Sequence, residues 1–196
     1  MNRYANRSKT LSKAGRLVVL SSPSGGGKST IIKELLRRRP DFVYSISCTT
    51  RKKRDYEVDD VHYHFISIEE FSNRITEGRF LEWEEVHSDF YGTDRLEVEA
   101  LIRSGKSVLL DLDVNGGEHV QEQFPDSILI FLYPPSLDEL RRRLRLRGSD
   151  DEESIERRIS RYQMEKVKGD RYPNRLRNED LEATIQEVLD IIERNS

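Results

Sequence analysis

Short apolar runs alternate along this chain with segments whose apolar positions recur every three or four residues. Leu17-Val18-Val19-Leu20 is a continuous apolar run of the kind that fills a buried parallel strand. Beyond a glycine cluster, Ile31, Ile32, Leu35 and Leu36 fall on one face of a helix. Ser107 to Leu112 and Ser127 to Leu132 predict two further core strands. Leu181, Ile185, Val188, Leu189 and Ile192 predict the apolar stripe of a closing helix. Two Ser-x-x-Glu sequences, at Ser67 to Glu70 and Ser136 to Glu139, read as capping boxes, the second entered through Pro134-Pro135. Strands alternating with helices predict an α/β fold of three layers, a mainly parallel sheet with helices on both faces. Between Tyr44 and Tyr91 the pattern changes. Strand-like pieces at His62 to Phe65 and Phe80 to Val86 stand among aromatics and arginines, which predicts an insertion with its own small sheet.

Composition narrows the class. The 196 residues carry 33 Lys and Arg against 36 Asp and Glu, a net charge of −3. Charged residues make up 35%, above the roughly 25% of an average globular chain, yet the apolar periods exclude a disordered chain. The longest apolar run, Ile128 to Leu132, is far below the ~20 residues of a membrane span, so no membrane partner is expected. No secretory pattern opens the sequence, and a lone Cys48 cannot form an internal disulfide, which together predict a cytoplasmic protein. The near-zero net charge argues against wholesale nucleic-acid binding, so basic character must be local. Residues 1–15 hold Arg3, Arg7, Lys9 and Lys13, no acids and no apolar period; they predict a flexible basic tail ahead of a single domain.

The strongest chemical signal is Ser22-Pro23-Ser24-Gly25-Gly26-Gly27-Lys28-Ser29-Thr30, set between the first strand and the first helix. Glycines let successive backbone N–H groups turn inward around phosphate oxygens, and a helix N-terminus directly behind favours anions. In such a phosphate loop Lys28 reaches the β- and γ-phosphates and the Ser29 hydroxyl sits on Mg²⁺. The strict pattern has glycine where this chain has Ser22; if that position needs positive φ, serine costs about 1 kcal/mol or more.

Further along, Ser45-Ile46-Ser47-Cys48-Thr49-Thr50-Arg51-Lys52-Lys53-Arg54 strongly resembles guanylate kinases. The likeness continues through Glu57-Val58-Asp59, His62-Tyr63-His64-Phe65, Phe80-Leu81-Glu82-Trp83, Tyr91-Gly92-Thr93, Asp111-Leu112-Asp113-Val114-Asn115-Gly116 and Pro134-Pro135-Ser136. It is dense from Arg16 to Gly148 and looser beyond. The resemblance implies the three-layer fold of P-loop nucleoside monophosphate kinases, with a small mixed-sheet GMP-binding insert and a helical lid. It divides 16–196 into a core (16–43, 94–140 and 165–196), a GMP-binding region (44–93) and a lid (about 141–164).

The same resemblance assigns residues. Ser47, Arg51, Arg54, Tyr63 and Tyr91 match positions that hold the GMP phosphate, and two guanidinium forks suit a dianion. Glu82 matches the guanine reader, whose carboxylate accepts from N1–H and the 2-amino group; adenine lacks that donor pair. Thr93 and Ser47 match further guanine contacts, and Asp113 supports the GMP site. Asp111 matches a residue orienting Mg²⁺ water, beside Ser29. The run Arg141 to Arg147 holds five arginines in seven residues, which read alone is a nucleic-acid patch. By resemblance Arg143, Arg147 and Arg158 are lid residues that contact transferring phosphates and act with Lys28 in catalysis, while Arg141, Arg142 and Arg145 are ordinary solvated helix positions.

The likeness thins at Tyr172 to Asp180. Pro173 cannot donate to a ladder, and Arg175 and Arg177 suit an edge strand, with Asn178 matching the adenine side of the ATP site. Asp60 stands where the family commonly has glycine, and Lys53 where it has proline. The expected activity is transfer of the γ-phosphoryl group of ATP, as MgATP, to GMP in purine nucleotide metabolism, with dGMP as a further acceptor the resemblance allows. A monomer and a homodimer are both compatible with the sequence. A competing reading is a catalytically inactive guanylate-kinase-like domain that binds a protein; such domains typically lose the donor loop, which Lys28 and Ser29 retain. Nucleic-acid binding through Arg141 to Arg147 is the third reading.

Overall fold

The structure, a computed structural model, describes residues 15–86, 88–146 and 151–195. The chain begins with β1 (Leu17–Ser21), α1 (Lys28–Arg38) and β2 (Phe42–Tyr44). A separate group follows: β3 (Cys48–Thr49), β4 (His64–Phe65), α2 (Ile68–Thr76), β5 (Phe80–Val86) and β6 (Asp89–Asp94). The remainder is α3 (Arg95–Arg103), β7 (Ser107–Asp111), α4 (Val114–Gln123), β8 (Ile128–Tyr133), α5 (Leu137–Leu146), α6 (Glu152–Gly169), β9 (Asn174–Arg177) and α7 (Leu181–Arg194).

The main sheet has the order β2-β7-β1-β8-β9, and every neighbouring pair is parallel. Its central strands are apolar on both faces because both faces are covered. Val18 and Leu20 pack with Ile31, Leu35, Ile185 and Val188 of α1 and α7, while Leu17 and Val19 pack with Val98, Val120 and Phe131 on the other side. Ile31 and Leu35 are fully buried, so truncating either to alanine costs about 2–5 kcal/mol. From β1 the chain turns to one side of the sheet, and from β7 it crosses β1 to reach β8. The carboxyl ends of β1 and β7 thus form a topological switch point, where open α/β sheets bind ligands.

The expected insertion is a second sheet of order β4-β3-β6-β5, with β3–β4 parallel and the other pairs antiparallel. Its own core is Cys48, Phe71 and Phe80, the two rings stacked with centroids 4.3 Å apart. The segment around Pro173 does form a strand. β9 lies at the sheet edge against β8 alone, with Arg175 and Arg177 exposed and Leu176 packed on the core, so the proline precedes the ladder rather than interrupting it.

Helices α5 and α6 pack through Leu140, Leu144, Ile155, Ile159 and Tyr162. Arg141 and Arg145 are more than solvated positions: they cross to Glu156 (3.0 and 3.2 Å) and Glu152 (2.8 and 2.9 Å) of α6. Arg142 stays on its own helix with Glu139. At the predicted capping boxes, Ser67 and Ser136 accept from the N–H of Glu70 and Glu139. The reciprocal half is replaced: Glu70 takes Arg74, and Glu139 takes Arg142 and Arg143, because a guanidinium is a stronger partner than a backbone N–H. Of the predicted basic tail, only Gly15 is described, and its N–H donates to Ile102 O; residues 1–14 lie outside the described residues.

Candidate active site

The phosphate loop follows β1 at the switch point. Gly25 and Gly27 take positive φ, 89° and 98°. At Gly27 no other residue would serve, because a Cβ there would also collide with the Asn178 amide. Gly27 caps α1 without any side-chain bond, and the first turn holds no acid; the helix therefore offers bare N–H groups to an anion. Ser22 carries no strain, since the positive-φ residues other than glycine among those described are Asp60 and Ser88. Its hydroxyl donates to Pro23 O at 3.2 Å.

Lys28 leads α1, and its Nζ lies 2.5 Å from Asp111 Oδ1 and 3.1 Å from Leu112 O. The end of β7 thereby holds the ammonium over the loop with one donor uncommitted. Ser29 and Thr30 line the same cleft. Asp113 caps α4, with Oδ1 accepting from the N–H groups of Asn115 and Gly116 at 2.9 Å each.

Two cavities share Asp113 as a lining residue. The larger, about 850 Å³, runs along Ser22 to Thr30 and is roofed by Arg157, Arg158, Arg161 and Glu165 of α6. Arg158 donates to Ser24 Oγ at 2.7 Å, so α6 leans directly on the phosphate loop. A side hollow of about 350 Å³ holds Gly25, Gly27, Thr30, Arg143 and Asn178. There Asn178 donates to Gly26 O at 2.9 Å and braces the loop, and Arg143 is tethered to Glu139 at 2.8 Å. Arg147 lies outside the described residues.

The smaller cavity, about 240 Å³, brings together Ser47, Tyr63, Glu82, Tyr91, Asp111 and Asp113, along with Tyr44 and Glu84. Thr93, 1% exposed, stands behind Glu82 and donates to its Oε1 at 2.6 Å. Burial pushes the Glu82 carboxyl up to about 7, an effect opposed by the Thr93 bond and reinforced by the nearby Glu84 and Asp113 charges. Arg51 lies 5.5 Å above the ring of Tyr63, which lines this cavity. Arg54 is farther out, donating to the exposed Tyr56 hydroxyl at 2.8 Å, and the fold does not bring it to the cavity wall.

Several residues at the site escaped the sequence reading. Glu57, 6% exposed, grips Arg51 and also accepts from the Arg54 N–H at 2.8 Å. Tyr44 carries no motif, and only the pairing of β2 with β7 brings it to the cavity. Arg161 and Glu165 had a readable signal, for they follow Arg158 by three and seven residues, on one face of a helix.

A family model described as guanylate kinase matches residues 14–195. The chain is 44% identical over 177 residues to a guanylate kinase of Prochlorococcus marinus, covering 90% of this chain and 96% of that protein. It is 43% identical over 178 residues to one from Symbiobacterium thermophilum, covering 91% and 84%. The crystal structure of guanylate kinase from Anaplasma phagocytophilum superposes with a TM-score of 0.73 at 31% identity, over 92% of this chain and 86% of that one. The chain belongs to the guanylate kinase family, the ATP-dependent enzymes that phosphorylate GMP.

Proposed function

We propose that this chain moves the γ-phosphoryl group of ATP onto GMP across the wall formed by Asp113, giving ADP and GDP. The observation that carries the reading is that a phosphate-loop cleft and a pocket lined by Glu82 share Asp113 as a wall. In the donor cleft the loop N–H groups and Lys28 hold the β- and γ-phosphates, and Arg143, Arg147 and Arg158 add positive charge from the lid (about 141–164). Asn178 flanks the adenine side. In the acceptor region (44–93), Glu82 reads guanine with Thr93 and Ser47 in support. Arg51, Tyr63 and Tyr91 orient the phosphate, with Arg54 the outermost of the set.

Phosphoryl transfer requires mainly positioning and neutralisation of charge, so no residue is needed as a dedicated base. The donor set fits Mg²⁺: Ser29 supplies a hydroxyl, and Asp111 keeps Oδ2 without a hydrogen bond among the described residues. Those residues form no cage of three or more His, Cys, Asp or Glu, which suits an ion bound largely by substrate phosphates and water. When bound, Mg²⁺ supplies neutralisation of the phosphate oxygens. Closure of the lid over the bound phosphates excludes water and so limits wasteful hydrolysis. No helix among the described residues is long and apolar enough to cross a membrane.

The test is a nucleotide panel of ATP with GMP, dGMP, AMP, UMP and dTMP, reading ADP release with and without a Mg²⁺ chelator. Release with GMP that collapses on chelation is expected. Equal or faster release with AMP or UMP would overturn the acceptor assignment.

A further inference from the structure

Arg161 lines the donor cleft beside Asp113, the residue that both cavities share as lining, and the reaction gives it no assigned role. It lies three residues after Arg158 on α6, and both side chains line the donor cleft with the phosphate loop. Its Nε donates to Glu165 Oε1 at 2.8 Å, which anchors the stem of the guanidinium. Its Nη2 lies 3.5 Å from Asp113 Oδ2, the outer limit of a hydrogen bond. The Asp113 oxygen it faces is the one not committed to the α4 cap, because Oδ1 takes both cap N–H groups. Asp113 lines both cavities, so a group beside Oδ2 faces the path between the donor and acceptor phosphates.

The surrounding charges fit that location. Glu165 is 14% exposed at the roof of the cleft, and burial raises its carboxyl pKa despite the Arg161 charge beside it. Arg161 therefore holds Glu165 as its tether, while its side chain as a whole is 60% exposed and, among the described residues, Nη2 has only the long Asp113 contact. A weakly held guanidinium can exchange a 3.5 Å carboxylate contact for a shorter, charge-assisted bond to a phosphoryl oxygen. Arg51 offers the contrast: its two short bonds to Glu57, 2.7 and 3.1 Å, fix it in place.

We propose that Arg161 is a further catalytic residue, a guanidinium that contacts the phosphoryl group as it passes Asp113, with Glu165 as its positioning residue. The proposal rests on the ATP-to-GMP reading of the same site. Charge that is matched to the transferring group rather than to the bound substrates raises kcat more than it lowers KM.

The experiment measures kcat, KM for ATP and KM for GMP in the wild type and in Arg161→Met, Arg161→Lys, Glu165→Gln and Arg161→Met/Glu165→Gln. Melting temperature is followed throughout. Expected is a loss of kcat in Arg161→Met of at least about tenfold with both KM values within about threefold. Partial recovery is expected in Arg161→Lys, and the double variant should be no faster than Arg161→Met. An unchanged kcat in a folded Arg161→Met protein would overturn the assignment. So would restored kcat in the double variant, which would mean that Arg161 merely shields the phosphates from Glu165. Wild-type protein inactive with ATP and GMP would instead strike the underlying reading, and it is separated from these outcomes by being measured first.

Discussion

Glu57 and Arg51 meet through both ends of their side chains: Nη1 donates to Oε2 at 3.1 Å and Nη2 to Oε1 at 2.7 Å. The pair holds the Glu57 carboxyl down to about 2, first through the Arg51 hydrogen bonds, and drives the Arg51 pKa up. The guanidinium is thereby set over the Tyr63 ring at the edge of the acceptor pocket. Two effects oppose each other here. Glu57 orients Arg51 but also places a negative charge near an incoming phosphate. A bidentate bond between planar groups fixes direction, and the Glu57 carboxylate is only 6% exposed, so orientation should win. Glu57→Gln is expected to raise KM for GMP on the order of tenfold while leaving KM for ATP unchanged. Steady-state kinetics decide it, and a lowered KM for GMP would mean that repulsion is the larger effect.

Lys28 should be indispensable for transfer and dispensable for acceptor binding. Lys28 lines the donor cleft. Although its ammonium bonds Asp111 and Leu112 O, which border the Glu82 pocket, Lys28 itself does not line that pocket. Lys28→Ala is expected to lower kcat at least about a hundredfold with GMP affinity within a few-fold of wild type. A coupled ADP-release assay and calorimetric GMP titration check the two halves; near-normal turnover would sink the donor assignment.

Glu82 gives acceptor binding a pH dependence. With its carboxyl pushed up to about 7, the neutral form predominates at pH 6 and the carboxylate at pH 8. Guanine offers two donors, so it binds the carboxylate, and GMP affinity should rise about tenfold from pH 6 to pH 8. The phosphate of GMP also titrates near 6, and Glu82→Gln separates the two: its residual slope belongs to the phosphate. At pH 8 that substitution should weaken GMP binding by roughly 1.5–3 kcal/mol. Identical profiles in wild type and variant would remove Glu82 from guanine recognition. For folding the sign is opposite: a carboxyl pKa raised on folding makes the unliganded protein lose stability as pH rises from the ordinary carboxylate range to about 7.

Asp60, where the family commonly has glycine, adopts φ 59°. Aspartate tolerates this left-handed conformation better than a β-branched residue does, and here it also bonds His64 Nδ1 at 2.7 Å. Asp60→Gly should be nearly neutral, because relief of backbone strain offsets the lost contact of a residue whose side chain is 78% exposed. Asp60→Val should cost about 1–3 kcal/mol. Urea midpoints measure both, and equal midpoints would show that the loop relaxes out of the left-handed region.

Local sequence determined much of this protein. The apolar runs at Leu17 and Ile128, the helical period of Ile31 to Leu36 and the glycines behind Ser24 each report burial or backbone freedom, properties fixed within a few residues. For that reason the layers, the insert and the phosphate loop were all legible, as was the preference of Arg175 and Arg177 for an edge. That their segment pairs as a strand was not, because Pro173 removes a ladder donor and only packing beside β8 supplies the partner. What Ser22 costs was not legible, since φ at that position follows from how the loop closes. The partners of the long charged side chains were also decided only by the fold. Lys28 meets Asp111 across 83 residues of sequence, Arg161 meets Asp113, and Arg54 turns away to Tyr56 although it lies beside Arg51 in the motif. A charged side chain takes whichever opposite charge the packed elements bring within reach, and that is set by how the sheets and helices are layered, not by spacing along the chain.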